Sequence, residues 1–210
     1  MVKMWDEDAP VKYLNDTPEV IKARFLPFTC GVNVNDMMAE TYLRQLLDEF
    51  PGIVKGLGEI MSRHDDLTTL TSDKPSRANS TSIEKRLLIL IHHNISPSYM
   101  DKSLCLSKIE RAWESNRKAN IIWVQVGISR RVELSNLSEI ADTVLKHHQD
   151  LHFDISWIAF ENYIAKDDRP SDLWVKLIEQ QENRFMIGTD VVDRWTNYIT
   201  NLMSPNTMRY

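Results

Sequence analysis

Short apolar runs alternate with amphipathic segments along this chain. The first run is Phe25 to Cys30, and after it Met38, Tyr42, Leu43, Leu46 and Leu47 fall near helical spacing up to Phe50. Asn35 or Asp36 is placed to cap that helix, and Pro51-Gly52 stops it. A second run, Ile53 to Met61, follows at once. The third, Leu87 to Ile91, is short and continuous, as a strand covered on both faces requires. Asp101 or Ser103 opens a helix to about Asn116 that carries Leu106, Ile109 and Trp113 on one side. Ile121 to Val126, Leu151 to Ile155 and Phe185 to Ile187 predict three more strands. Between them, Asn136 and Glu139 form a capping box before Leu137, Ile140, Ala141, Val144 and Leu145. Ser171 is placed to cap a helix bearing Leu173, Trp174, Leu177 and Ile178, and Val191 to Met203 predicts the last one.

Strands alternating with helices imply βα units and a parallel sheet. The alternation fits a closed barrel and a doubly wound open sheet equally well. No GxGxxG or P-loop spacing occurs, which weakens the nucleotide-binding version of the open sheet. The pattern divides the chain into a lead-in over 1–23, the βα repeats over 24–203 and a tail over 204–210. One interval breaks the rhythm. Met61 to Leu87 is long and polar, with Ser72-Asp73-Lys74-Pro75-Ser76 at its centre. Such a stretch is either a surface excursion or a repeat whose helix has been shortened.

Composition narrows the class. At 210 residues the chain is long enough for one sizeable core, so a single domain is expected. A net charge of -5 with scattered basic residues predicts neither nucleic acid nor an anionic membrane as partner. The two cysteines, Cys30 and Cys105, lack metal or redox spacing and read as reduced thiols. Asp6, Glu7 and Asp8 stand where a signal peptide would need basic residues. No apolar stretch approaches the roughly 20 residues of a membrane helix. A cytoplasmic location is therefore expected.

In a βα architecture, loops at the C-terminal strand ends converge on one crevice. The residues there carry the candidate chemistry. Glu59 ends the second strand, with Arg63, His64, Asp65 and Asp66 just after it. His92, His93 and Asn94 end the third, and Gln125 ends the fourth, followed by Ser129 and Arg130. The fifth contains Asp154 and ends in Ser156 and Trp157, and the sixth ends in Thr189-Asp190. Imidazole and carboxylate on one rim are what a divalent metal needs, and each has a plainer reading: a packed histidine beneath a loop, or Asp190 as a helix cap. Asp65 and Asp66 beside His64 read as a solvated turn. His147, His148 and His152 fall on the opposite rim, where histidine complements a helix C-terminus. Cys30 reads as a packed thiol and Trp157 as a pocket wall.

Five of these passages, taken together, resemble the amidohydrolase-related branch of the metal-dependent amidohydrolases. They are Gly56 to Leu67, Leu90 to Ile95, Ile121 to Arg131, Leu151 to Trp157 and Arg184 to Asp190. The resemblance implies an α/β fold of the TIM-barrel, (β/α)8 type, with this chain on about the third to eighth strands of the barrel. It implies that His92 binds a divalent metal, zinc by preference, and that Asp190 both binds metal and moves the proton. Glu59, His93, Gln125, Arg130 and Trp157 would then contact a small carbonyl-containing substrate. Two departures stand out. No histidine precedes His64, so the first-strand His-x-His is absent, and Gln125 stands where a sixth-strand histidine is usual. An amide is a poor zinc ligand and no acid–base group. Two readings thus remain open: a metal-dependent hydrolase, or an inactive or truncated barrel that binds ligands or is completed by a partner. Unclosed edges would also favour homo-oligomers.

Overall fold

Runs of β-branched and large apolar residues set the strands, and each strand is laid beside the one before it. The computed structural model describes residues 2–4, 15–16, 18–23, 26–29, 38–62, 82, 84–95, 102–114, 117–128, 134–157, 159–166 and 169–188. The main sheet contains β1 (Val2–Met4), β2 (Pro27–Thr29), β3 (Gly56–Ser62), β4 (Leu88–His93), β5 (Asn120–Trp123), β6 (Leu151–Asp154) and β9 (Phe185–Met186). Its order is β1-β2-β3-β4-β5-β6-β9, and every pairing is parallel. Between β6 and β9 the chain adds a π-helical turn, Phe160–Ile164, and a small antiparallel pair, β7 (Ala165–Lys166) with β8 (Arg169–Pro170).

The helices are α1 (Glu19–Lys22), α2 (Ala39–Glu49), α3 (Lys102–Glu114), α4 (Leu137–His147) and α5 (Asp172–Gln180). Leu43 of α2, Ile109 and Trp113 of α3, Ala141 and Val144 of α4 and Trp174 of α5 all join one core. The sheet contributes Leu57, Ile89, Ile91, Ile121, Trp123, Leu151 and Phe153 to that same core. Register explains the match: Leu57, Ile89, Ile121 and Leu151 pair in one row, and Ile60, Ile91, Trp123, Phe153 and Phe185 in the next. The alternate residues Phe28, Leu90, Ile122 and Val124, with Leu88 against them, form a second cluster built from the sheet strands and the turn after β5. The helices that build the main core thus cover one face, and the other face packs on itself.

A doubly wound sheet reverses its strand order and carries helices on both faces. Among the described residues this sheet does not reverse, and the helices of its main core lie on one face. It is wound in one direction, as a βα barrel is, and the open-sheet alternative is set aside. Among the described residues no pairing joins β1 to β9.

Several expectations change. The lead-in over 1–23 contains a strand, β1, and a helical turn, α1, so the sheet has seven strands rather than six. Its apolar signal is only Val2 and Met4, too short to separate from an irregular terminus. The strand expected through Val126 ends at Trp123, where Val124–Gly127 turns as a 3-10 segment. Asn136 and Ser171 do stand at the N-caps of α4 and α5, but neither side chain makes the capping bond. The expected helix over 191–203 lies outside the described residues, as do 63–81 within the long polar interval.

Candidate functional site

Two neighbouring strands bring the first pair of functional groups together. Leu88 and Leu90 point to the inner face, so alternation turns His92 inward as well. On β3, Leu57 and Ile60 both belong to the helix-facing core, although they are three positions apart. A register shift between Leu57 and Ile60 allows this. Gly58 and Glu59 there oppose the single residue Leu90 on β4, the arrangement of a β-bulge. A regular strand would have sent Glu59 out among the helices; the extra residue turns it inward. Glycine is required at the turning point. Gly58 sits at φ +127°, and a Cβ there would lie 2.3 Å from the Leu90 carbonyl oxygen.

The result is a buried ion pair or hydrogen bond, His92 Nδ1 to Glu59 Oε1 at 2.7 Å. Both side chains are almost fully covered, at 4% and 6% exposure. An ionised carboxylate only accepts, so Nδ1 is the donor in this contact. In the turn after β5, Gln125 and Val126 both adopt left-handed backbone, with φ of 53° and 51°. Both are fully buried. Two such residues in succession, one of them β-branched, cost about 1–3 kcal/mol each and gather at functional positions. The turn is pinned to β4 by the Ile95 N–H, which donates to the Gly127 carbonyl at 2.6 Å.

Asp154 is a buried carboxylate that sequence reasoning left unassigned. It is 7% exposed, and Ser156 Oγ donates to its Oδ2 at 2.5 Å. Ile91, Trp123 and Phe153 are in register, so one residue further on His92, Val124 and Asp154 share one inner layer. β4 and β6 are two strand spacings apart, about 10 Å along the sheet. The period-two pattern of Leu151 to Ile155 puts Asp154 in phase with His152, but alternation alone does not reveal that this polar phase faces inward at Asp154.

The other expected residues fall as follows. His93 is buried, and by alternation it faces the helix layer with Ile91; the Trp123 indole donates to its carbonyl at 2.8 Å. Trp157 follows β6 with a left-handed backbone and is half-buried. Asp190, Arg130, Cys30, His64, Asp65 and Asp66 lie outside the described residues. A cavity of about 330 Å³ opens at the other end of the sheet, where β5 and β6 begin, lined by Trp113, Arg117, Ile121, His148, Asp150 and Leu151. There Trp113 meets His148 edge-on at 4.9 Å. Burial holds His148 below the ordinary imidazole range, helped by the charges of His147, Arg117 and Arg184. Burial, then Arg184, does the same to His152. That rim is opposite the converging strand ends, and it is built from helix C-termini and strand starts.

Zinc needs three or four ligands. Among the described residues, no group of three His, Cys, Asp or Glu is arranged to hold a metal ion. His92 backed by Glu59 has the form of one metal ligand with its outer carboxylate, but one ligand is not a centre. The described residues do not fit a metal on their own.

No protein-family model matches the chain, and no curated protein matches its sequence. Among solved structures, a dihydroorotase from Campylobacter jejuni matches at 13% identity and a TM-score of 0.46, over 79% of this chain and 50% of that one. Amidohydrolase 2 from Bifidobacterium longum subsp. infantis matches at 13% identity and a TM-score of 0.40, over 89% and 80%. The chain spans half the length of the dihydroorotase. At that identity and those TM-scores, the likeness assigns no site residue and no substrate. Among the described residues no helix is long and apolar enough to cross a membrane.

Proposed function

We propose that this chain is a hydrolase of the amidohydrolase type, acting on a small carbonyl-containing substrate at the C-terminal inner edge of its sheet. The buried contact between Glu59 and His92 carries the reading. Glu59 accepts from Nδ1, and Nε2 is the proposed acceptor of a proton from the water attacking the carbonyl, returned to the leaving group as its bond to the carbonyl carbon breaks. The imidazolium that forms lies against the Glu59 carboxylate, whose charge stabilises it in a water-poor setting. Asp190 is the proposed second proton carrier, and Gln125, His93, Arg130 and Trp157 are the proposed substrate contacts. Such a base contributes about 10²–10⁴-fold to a rate.

A second reading has one observation in its favour. Gln125 replaces an acid–base group at the end of β5, which suits an inactive barrel that only binds. Activity on a panel of small amides, esters and lactones separates the two. Turnover that falls at least about a hundredfold in His92→Ala supports the hydrolase, and a folded protein inactive on the whole panel supports the binder. Metal analysis of the same samples tests the expected zinc: stoichiometric metal lost on His92→Ala would place it at this histidine. Turnover by metal-free protein would leave the base unaided.

A further inference from the structure

The cavity at the far end of the sheet takes no part in the proposed hydrolytic site. At about 330 Å³ it has the size of a small-ligand pocket. Part of its wall is apolar and buried: Trp113 of α3, Ala119 and Ile121 around the start of β5, and Leu151 at the start of β6. Trp113 packs edge to face with Trp123 at 4.8 Å, yet the two indoles differ at nitrogen. Trp123 donates to the His93 carbonyl, whereas Trp113 Nε1 is buried with no hydrogen-bond partner. A buried indole N–H ordinarily finds an acceptor, and leaving the bond unmade is destabilising. Arg117 is a second unused donor on this wall, for it makes no ion pair among the described residues. Lys146 and His147 are different. They complement the C-terminal end of α4, and Asp142 holds Lys146 at 2.6 Å. An acceptor-rich ligand would satisfy both unused donors. Asp150 on the same wall limits its charge, since a second anionic group would meet that carboxylate.

We propose that this cavity binds a small monocarboxylic acid, its carboxylate on the Arg117 guanidinium and the Trp113 N–H and its apolar body against Ile121 and Leu151. A guanidinium fork matches a carboxylate with two parallel hydrogen bonds, and the indole supplies a third donor. His148 reports on the ligand, because its half-buried ring meets Trp113 edge-on at 4.9 Å. Burial lowers that imidazole below its ordinary value; Glu114 of α3 opposes this, and His147, Arg117 and Arg184 add to it. Asp150 and the Asp142-paired Lys146 complete the charged groups around the cavity. A carboxylate bound here favours the protonated ring and so raises the His148 value. By reciprocity, affinity rises as pH falls through that raised value towards the value of the empty site. The cavity lies on the rim opposite Glu59 and His92, so the inference stands whether or not the chain is a hydrolase.

The test uses benzoate and its uncharged analogue benzamide, titrated against the whole chain by NMR. Benzoate should move the Trp113 indole N–H resonance and bind at least about tenfold more tightly than benzamide. Arg117 is exposed, so Arg117→Gln should leave the melting temperature unchanged. The same variant should bring the two ligands within about twofold of each other. Between about pH 7.5 and pH 5.5 wild-type affinity for benzoate should rise roughly three- to tenfold, and in His148→Gln it should stay flat. Inorganic phosphate, which has no apolar body, should bind more weakly than benzoate. Should Arg117→Gln fail to fold, the wild-type ratio and the pH profiles decide. The proposal is overturned if benzoate does not bind, or if benzamide or phosphate binds as tightly. It is equally overturned by an unmoved Trp113 N–H, by a preference that survives Arg117→Gln, or by a wild-type affinity that ignores pH.

Discussion

The proton between Glu59 and His92 decides what this site can do. Glu59→Gln keeps size and can still accept from Nδ1 through its amide oxygen, but it removes the negative charge that would stabilise an imidazolium. We expect turnover to fall by about 10²–10⁴-fold with stability nearly unchanged. Nitrogen-15 NMR of the wild-type imidazole should show a proton on Nδ1, and an Nδ1 without one would contradict the assignment. Glu59→Ala differs, because it strands a buried nitrogen and should cost about 1–3 kcal/mol of stability. The opposite rim sets a pH dependence. Burial lowers His148 and His152 from an ordinary value of 6.5, so the unfolded chain binds more protons as pH falls through that value. Stability is full above it and is lost on acidification. Glu110 has the opposite sign: burial raises it above 4.5, so its effect comes at lower pH and favours the folded state there. Urea midpoints taken from neutral pH to about pH 5 should fall in wild type and fall less in His148→Gln with His152→Gln. A flat wild-type profile would count against both shifts.

Elements were legible where one period dominated and obscure where geometry depended on a neighbour. The run Leu87 to Ile91 announces a buried strand because all five residues are apolar, and the spacing of Leu137, Ala141, Val144 and Leu145 announces a helix. The β3 bulge has no such signal. Gly58 could have filled a turn or a tight packing position, and only its pairing with Leu90 shows that Glu59 is turned inward. The phase of β4 was equally hidden, so His92 and His93 could not be told apart until Leu90 and Ile91 were seen in different cores. The inner layer below the site offers a sharp test of this packing. A Cβ at Gly56 would stand 2.1 Å from Phe28 Cε1. Gly56→Ala should therefore destabilise by about 1–3 kcal/mol, since the strand cannot yield without moving the bulge above it. Phe28→Leu in the same chain should recover part of that loss. A neutral Gly56→Ala by denaturant unfolding would mean that β2 and β3 are not locked at this level.

At the scale of the molecule, direction of winding carries the fold. The sheet runs in chain order from β1 to β9, and the helices of the main core lie on one face of it, so each new strand extends the same wall. Alternation of strand and helix could not supply this, because it is identical in sheets wound both ways. One direction of winding has a consequence at the edges. A βα barrel closes with eight strands, whereas this sheet has seven and shows no pairing between β1 and β9 among the described residues. An unpaired parallel edge exposes backbone N–H and C=O groups that readily take up another strand. Ile187, just past β9, is 83% exposed and adds an apolar surface beside that edge. We expect the chain to associate, with a mass by light scattering that is a multiple of 24.5 kDa and rises with concentration. Ile187→Lys should weaken the association while leaving the Glu59–His92 pair untouched, because it places a charge at the edge and alters no inner-face contact. A monomer that persists at high concentration would mean that the wall closes within one chain, through residues beyond those described.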